Sequence, residues 1–449
     1  MKIALTIAGS DSGGGAGIQA DLKTFAALGV YGTSVITSVT AQNTQGVQGV
    51  QDLPAPFVAL QLDSVLSDLD VAALKTGMLS NRKIIEAVAA KIRQYRLKCL
   101  VVDPVMAAKS GDPLLQPEAR ETLIRLLLPL ATIITPNLPE TEILANRKVA
   151  TIADMEAAAR SIHEGSGCAV VVKGGHLEGE AIDIYFDGNR IIHFRGDRIP
   201  SKNTHGTGCT FSAAIAAFLA RGLDLAQSVR RAKEFTAGAI RSAFPVGKGI
   251  GPTHHLFDLY SYRDRWEVME NLEQAVKLLE QSRIGGLIPE VQSNLGMALP
   301  RAISPEEVAA FPGRLIRWED TFRRLSPPAF GGSRHIARII LTAMRHDPEM
   351  RAAMNIRYSP DIVEACQKLG LSVVPFDRQE EPAALKEREG ASLEWGVQRG
   401  IDTLGKVPEI IWDRGDFGKE AMVRVLGGTA QEVAQVVVKI QKVLMEKRS

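Results

Sequence analysis

The first half of the chain alternates two kinds of segment, and this alternation restricts the fold more than any other feature. Short apolar runs at 3–8, 35–40, 73–76, 99–102, 132–135 and 169–173 are rich in branched side chains, the pattern of strands buried on both faces. Between most of them lie amphipathic stretches of helical length, such as 84–95 and 152–164. Strands and helices in turn imply a mostly parallel sheet with helices on both faces. Around 181–198 the pattern becomes hairpin-like, with Asp187-Gly188 as a turn signal. An apolar helix is expected at 207–221 and another at 226–243, followed by a glycine-rich stretch at 247–252.

With 449 residues the chain exceeds one ordinary core. After residue 260 the character shifts. A charged amphipathic stretch, 263–281, reads as a connector, and a new block opens at Gly285 with a strand-like run at 287–293. The expected division is 1–262, a helical connector 263–284, and 285–449. The expected class is α/β, with a second, smaller α/β domain behind the first.

Composition excludes several roles. A net charge of +2 with interspersed signs, and basic segments as short and broken as 338–345, give no nucleic-acid surface. No stretch approaches the roughly 20 apolar residues of a membrane span, and the run 3–8 is shorter than a signal-peptide core. Cys99, Cys168, Cys209 and Cys366 lack metal-ligand spacing. Reduced thiols in a cytoplasmic protein are the expectation.

Four motifs at expected strand ends carry chemistry. Ala8-Gly9-Ser10-Asp11-Ser12-Gly13-Gly14-Gly15-Ala16-Gly17 follows the first strand. Its glycines let backbone amides approach a ligand, or simply make a strand-to-helix turn; the Gly-Lys-Ser/Thr ending of a Walker loop is missing. Asp103 and the pair Asn137-x-x-Glu140 follow later strands, where ligands sit in parallel sheets. The two acids suit a Mg²⁺ held directly or through water, or else cap helices. Lys173-Gly174-Gly175-His176 puts a cation at a strand end. Asn203-Thr204-His205-Gly206-Thr207-Gly208-Cys209-Thr210-Phe211-Ser212 opens the apolar helix. Its amides and the helix dipole suit developing negative charge. Cys209 in the first turn is expected to have a lowered thiol pKa and to accept a substrate proton; a buried structural cysteine is the plainer reading.

Together, Gly9 to Gly17, Asp103-Pro104, Asn137-x-x-Glu140 and Gly206-Thr207-Gly208 resemble the ribokinase-like kinases. That family usually has an aspartate base after Gly-Thr-Gly. Cys209 in its place, with Thr40-Ala41-Gln42-Asn43-Thr44 and Lys75-Thr76-Gly77-Met78, resembles the hydroxymethylpyrimidine and phosphomethylpyrimidine kinases of thiamine synthesis. The resemblance covers residues 1 to about 260 and implies a three-layer α/β/α sandwich. It implies that Gln42 bonds the aminopyrimidine edge, that Met78 and Val105 line the ring pocket, and that Asp21 and the loop from Gly9 close one side. It further implies Cys209 as base, Gly206 and Gly208 as the anion hole, Asp103 and Glu140 for Mg²⁺, and Lys173, Thr207 and Asn137 toward ATP. The implied substrates are hydroxymethylpyrimidine and its monophosphate, with vitamin B6 compounds as nearest competitors. Homo-oligomers are common in the family, so a dimer through this domain is expected.

The second half is quieter. Phe330-Gly331-Gly332-Ser333-Arg334-His335-Ile336-Ala337-Arg338 reads as a phosphate cradle ahead of a helix, or as a capping loop. Gly313-Arg314-Leu315, Asn355-Ile356-Arg357-Tyr358, Trp412-Asp413-Arg414-Gly415 and Arg424-Val425-Leu426-Gly427-Gly428 accompany it. Residues 268–445 resemble the non-barrel thiamine-phosphate synthase domain, which joins the pyrimidine pyrophosphate to thiazole phosphate. The resemblance implies Arg314 and His335 as catalytic groups and Ser333, Arg334 and Arg357 as phosphate ligands. Related domains act as thiamine-phosphate sensors, which leaves a kinase with a regulatory module as the alternative.

Overall fold

The computed structural model describes residues 1–106, 115–175, 181–382, 391–416 and 418–447. The chain forms two compact units, Met1–Leu259 and Tyr260–Ser449.

In the first unit, nine strands make one sheet: β1 Ile3–Asp11, β2 Tyr31–Asn43, β3 Gly46–Asp52, β4 Val71–Thr76, β5 Leu100–Val102, β6 Ile133–Ile134, β7 Ala169–Lys173, β8 Asp183–Phe186 and β9 Ile191–Phe194. Their order is β3-β2-β1-β4-β5-β6-β7-β8-β9. The six strands from β2 to β7 run parallel; β3 at one edge and β8 and β9 at the other are antiparallel. The helices are α1 Gly17–Ala27, α2 Ala55–Leu66, α3 Arg82–Gln94, α4 Pro117–Thr122, α5 Leu138–Ala145, α6 Ile152–Ser166, α7 Thr207–Ala220 and α8 Leu225–Arg241.

The two-residue period of each strand divides its side chains between two cores. Leu5, Ile7, Leu74, Leu100, Val102, Ile134, Val170 and Val172 face α2, α3 and α6. Ala4, Ala73, Val101, Ile133 and Val171 face α1, α7 and α8. Small residues on the second face match an α7 that is itself rich in alanine, including the buried Ala213, Ala214, Ala216 and Ala217, so helix and sheet approach closely. Side chains fix the helix starts: Asn81 caps α3, and Thr151 with Asp154 forms a capping box on α6.

The second unit opens with α9 Phe257–Gln281, whose first turn spans the division between units. The stretch taken from sequence as a connector is core: Val268, Leu272, Ala275, Val276 and Leu279 are buried with the rest of the second unit. The strands are β10 Leu295–Ala298, β11 Val308–Ala310, β12 Leu315–Trp318, β13 Thr321–Arg324, β14 Ala329–Phe330, β15 Ala352–Arg357, β16 Val373–Pro375, β17 Ile410–Asp413 and β18 Met422–Gly427. Seven form a largely antiparallel sheet, β14-β11-β10-β15-β18-β17-β16, while β12 and β13 form a separate hairpin. Helices α10 Arg334–Met344, α11 Pro360–Lys368, α12 Ala391–Leu404 and α13 Ala430–Glu446 complete the unit. The run 287–293 is not a strand. Residues 284–287 form a 3-10 turn, and a left-handed Gln292 (φ 68°) keeps the backbone from extending. Among the described residues no helix is long and apolar enough to cross a membrane.

Candidate active sites

The carboxyl ends of the parallel strands open into a cavity of about 1460 Å³. β1 delivers Gly9, Ser10 and Asp11; β2 delivers Thr40 and Gln42; β4 delivers Lys75; β7 delivers Lys173; and the turns after β5 and β6 supply Asp103, Val105, Asn137 and Glu140. The start of α7 supplies Gly206, Thr207, Gly208 and Cys209. Of the first-unit residues given individual roles by the resemblance, all line this cavity except Asp21, while the motif residues Ser12 to Gly15, Gly174, Asn203, Thr210 and Ser212 do not; His176 lies outside the described residues.

Gly206 is the N-cap of α7 with φ 77°, and a Cβ there would sit 1.8 Å from the Gly15 carbonyl oxygen. Glycine is thus required both by backbone conformation and by the close approach of the two loops. A Cβ on Gly208 would meet Lys173 Nζ at 3.4 Å and Asp103 Oδ2 at 3.7 Å. A cation and a carboxylate therefore stand directly over the free amides of the helix end, where the dipole favours anions. Asp103 is held by Lys173 Nζ (3.2 Å), by Thr135 Oγ1 (3.5 Å) and by Ser212 Oγ (3.2 Å). Burial opposes the Lys173 ammonium, but Asp103 and Glu140 outweigh it and raise its pKa.

Asn137 and Glu140 make a reciprocal capping box on α5, so the structural reading of this pair holds. The Glu140 carboxylate also accepts the Met106 N–H at 3.2 Å. Burial, helped by the nearby Asp103, raises the Glu140 pKa against the pull of Lys173.

Cys209 departs from expectation. It occupies the third position of α7, yet burial pushes its thiol up to about 11. Lys75 and the Gly17 N–H pull it down, while Asp21 and Asp103 push it further up. The helix terminus alone does not overcome removal from water.

Asp21 lies beneath the cavity wall, fully buried on α1, and does not face the cavity. It accepts hydrogen bonds from Lys75 Nζ (2.8 and 3.0 Å) and Thr6 Oγ1 (2.6 Å). Lys75 is also fully buried but lines the cavity; burial works against its charge, and Asp21 outweighs that and holds its pKa above the ordinary lysine value. The sequence reading gave Lys75 no role, although a lysine inside the apolar run 71–76 is a signal in itself.

The second unit gathers cations around α10. Ser333 is its N-cap and accepts the Ile336 N–H at 3.4 Å. Arg334 and His335 lie exposed on its first turn. Partial loss of contact with water, then the fields of Arg424, Arg314, Arg378 and Arg338, lower the His335 pKa to about 4. Arg314, in a left-handed conformation (φ 68°), donates from Nη1 to the Val291 carbonyl. Arg357 ends β15 with a buried Nε that has no hydrogen-bond partner among the described residues. Sequence reasoning gave no role to what lies behind them. Asp413, fully buried, bridges Arg378 (2.7 and 3.2 Å) and Arg424 (2.7 Å). One carboxylate thus joins two guanidiniums, and a second carboxylate, Glu381, is buried in the same unit.

A parallel sheet covered by helices on both faces, with a cationic, glycine-lined helix terminus at its strand ends, defines a small-molecule kinase of the ribokinase-like class. A pyridoxal kinase from Bacillus subtilis, solved as an ADP complex, shares the fold (TM-score 0.54, 42% identity), covering 57% of this chain and 97% of its own. The phosphomethylpyrimidine kinase family pattern matches residues 11–254, and that of the thiamine-phosphate synthase ThiN matches 271–439. The hydroxymethylpyrimidine/phosphomethylpyrimidine kinase of Rhizobium meliloti is 54% identical over 56% of this chain and 96% of its own length. The bifunctional thiamine biosynthesis protein ThiDN of Methanocaldococcus jannaschii is 35% identical over 98% of this chain and 99% of its own. The chain belongs to this family: it is a bifunctional thiamine-biosynthesis enzyme, a pyrimidine kinase domain followed by a thiamine-phosphate synthase domain.

Proposed function

We propose that the first unit transfers the terminal phosphoryl group of ATP to the hydroxymethyl oxygen of the pyrimidine, and then a second one to the resulting monophosphate. The observation that carries this is the meeting of Lys173 and Asp103 over Gly208, in the cavity that also holds Gln42 and Met78. The ADP complex of the structural neighbour supports the choice of nucleotide. The ring packs against Met78 and Val105 with its amino edge toward Gln42. Amides at the start of α7, framed by Gly206 and Gly208, take the charge that develops on the transferred group. Lys173 neutralises phosphate oxygens, and Thr207 and Asn137 line the nucleotide side.

Mg²⁺ is assigned to the neighbourhood of Asp103 and Glu140. Their donor chemistry fits: Mg²⁺ is usually held by one or two carboxylates together with waters and substrate phosphates, and two buried carboxylates line this wall. When bound, the ion supplies charge neutralisation to the phosphates. Cys209 receives the alcohol proton. Because its thiol is protonated in the substrate-free cavity, it first passes its own proton to water in that cavity, and a loose transition state asks for little early deprotonation of the alcohol.

The second unit joins the pyrimidine pyrophosphate to thiazole phosphate. Pyrophosphate leaves the methylene carbon as the thiazole nitrogen attacks, and the released charge falls to guanidiniums, which bind it in bidentate fashion. Arg314 and His335 are assigned to the leaving group, with Ser333, Arg334 and Arg357 on phosphates. The unpartnered Arg357 Nε supports that assignment. The test is incubation of the full chain with hydroxymethylpyrimidine, Mg-ATP and thiazole phosphate, read by mass spectrometry. Thiamine phosphate is the expected product, and omission of thiazole phosphate leaves the pyrimidine pyrophosphate. Pyrophosphate accumulating with all three present would remove the synthase reading and favour a sensor.

A further inference from the structure

His205 stands one residue before the anion-binding turn and belongs to none of the roles assigned above. Its Nε2 lies 3.0 Å from Asp11 Oδ2 and 3.3 Å from the side-chain amide of Gln42. Asp11 is itself fixed, because its carboxylate accepts the N–H groups of Gly13 (2.8 Å), Gly15 (3.0 Å) and Ala16 (2.8 Å). On its other side the Gln42 amide meets Thr40 Oγ1 at 3.0 Å, and that hydroxyl also lies 3.0 Å from the Ser10 carbonyl oxygen.

Counting protons decides how the amide is turned. With its nitrogen toward His205, Nε2 has to accept from Gln42, which sets two lone pairs, on Nε2 and Asp11 Oδ2, against each other. The single Thr40 proton then has two acceptors, Ser10 O and Gln42 Oε1. Half a turn of the amide leaves its shape unchanged and removes both conflicts. His205 Nε2–H then donates to Asp11 with Gln42 Oε1 as a second acceptor, Gln42 donates one N–H to Thr40, and Thr40 donates to Ser10.

We infer that His205 is a positioning residue for substrate recognition, which with Asp11 and Thr40 locks the Gln42 amide in one orientation. In that orientation one oxygen lone pair and one N–H remain free, side by side, toward the cavity. A ligand edge pairs with them when an amine donor stands next to a ring-nitrogen acceptor, as on a 4-aminopyrimidine. A 4-oxo pyrimidine presents the opposite order and is refused. The inference rests on the reading of Gln42 as the pyrimidine-edge ligand.

The experiment measures kcat and KM of the full chain for the 4-amino substrate and its 4-oxo analogue, with the KM for ATP as a control. Wild-type protein is expected to prefer the amino compound. In His205→Ala the amide is free to turn. Its preference is expected to fall by about tenfold, mostly through a higher KM for the amino compound, while the KM for ATP holds. His205→Gln, which restores an N–H, should recover most of the preference. His205→Met, which fills the space without a donor, carries the same reading should the alanine variant not fold. If His205→Ala and His205→Met slow both substrates equally and leave the preference intact, the positioning role is overturned. Gln42→Leu separates the two levels. If Gln42→Leu keeps the wild-type preference, the Gln42 reading falls and takes this inference with it. If Gln42→Leu loses the preference while the His205 variants keep it, this inference alone falls.

Discussion

Replacing Lys75 by methionine tests how the charged floor of the kinase cavity is held. The substitution keeps much of the volume and removes the ammonium that gives Asp21 two hydrogen bonds, leaving the carboxylate with the Thr6 hydroxyl at 2.6 Å. Both residues of the pair are fully buried. Breaking a buried pair on one side costs about 3–5 kcal/mol, because the surviving charge has neither water nor partner. At about 2–4 °C per kcal/mol for a domain of this size, the melting temperature of the first unit should drop by about 6–20 °C. The variant also acquires a pH signature. Burial already pushes the Asp21 carboxyl above its ordinary value, and without Lys75 only the Thr6 hydroxyl opposes that push. A carboxyl with a raised folded-state pKa favours the fold below its unfolded pKa of about 3.9 and loses that contribution as pH rises through the folded value. Lys75→Met should therefore be least destabilised near pH 4 and most at pH 8. Melting is followed by circular dichroism, and the transition that an ATP analogue shifts upward belongs to the first unit. The double variant Lys75→Met/Asp21→Asn, with no stranded charge, should regain more than half of the loss. A single variant melting within 2 °C of wild type, or a double variant no better than the single, would refute the reasoning.

Four further outcomes are expected. Gly206→Ala, which sets a Cβ against the Gly15 carbonyl at a left-handed position, should lower phosphorylation about a hundredfold through misplacement of the helix end, with condensation of supplied pyrimidine pyrophosphate unchanged. With the Cys209 thiol near 11, kinase kcat/KM should climb with pH between 7 and 9.5; Cys209→Ser should abolish the climb and slow transfer by about 10²–10⁴. With His335 near 4, a neutral ring persists from pH 8 down to pH 5; condensation should show no inflection from this group there and fall only as pH approaches 4, and His335→Ala should stop condensation while sparing the kinase. Asp413→Leu, which strands Arg378 and Arg424 together in the interior, should destabilise the second unit by about 3–5 kcal/mol in a urea titration.

The sheet of the first unit was legible because its determinants are local. Each buried parallel strand is a short apolar run, and each loop after a strand carries its own glycines and acids, so the topology alone brings Gly9, Gln42, Asp103, Asn137, Lys173 and Cys209 to one edge. What the sequence concealed there depends on pairing between distant segments. The resemblance implied that Asp21 closes one side of the pocket; its partner, Lys75, is 54 residues away on a neighbouring strand, and no local pattern shows the pair. The Cys209 thiol looked activated because a helix start lowers thiol pKa values, but loss of water and the carboxylates Asp21 and Asp103, which come from distant segments, raise it, and no local pattern records that.

The second unit shows the same limit more strongly. The residues assigned to phosphates cluster in short motifs, yet the charged network near them is assembled from positions 378, 413 and 424 on separate elements. Arg424 sits in the middle of the apolar run 422–427, and Asp413 ends another strand. Each looks like an interruption of a hydrophobic pattern. A charge in such a place costs several kcal/mol unless a partner compensates it, so the pattern break itself announces a partner without naming it. Among the described residues of this unit the buried charges balance in number, Arg378 and Arg424 against Asp413 and Glu381, and the field of the two guanidiniums is felt at His335, next to the residues assigned to the departing pyrophosphate. Buried charges inside strands are thus the sequence signal common to both units: Lys75 and Arg424 each announce, from within the core, a buried carboxylate partner, Asp21 and Asp413.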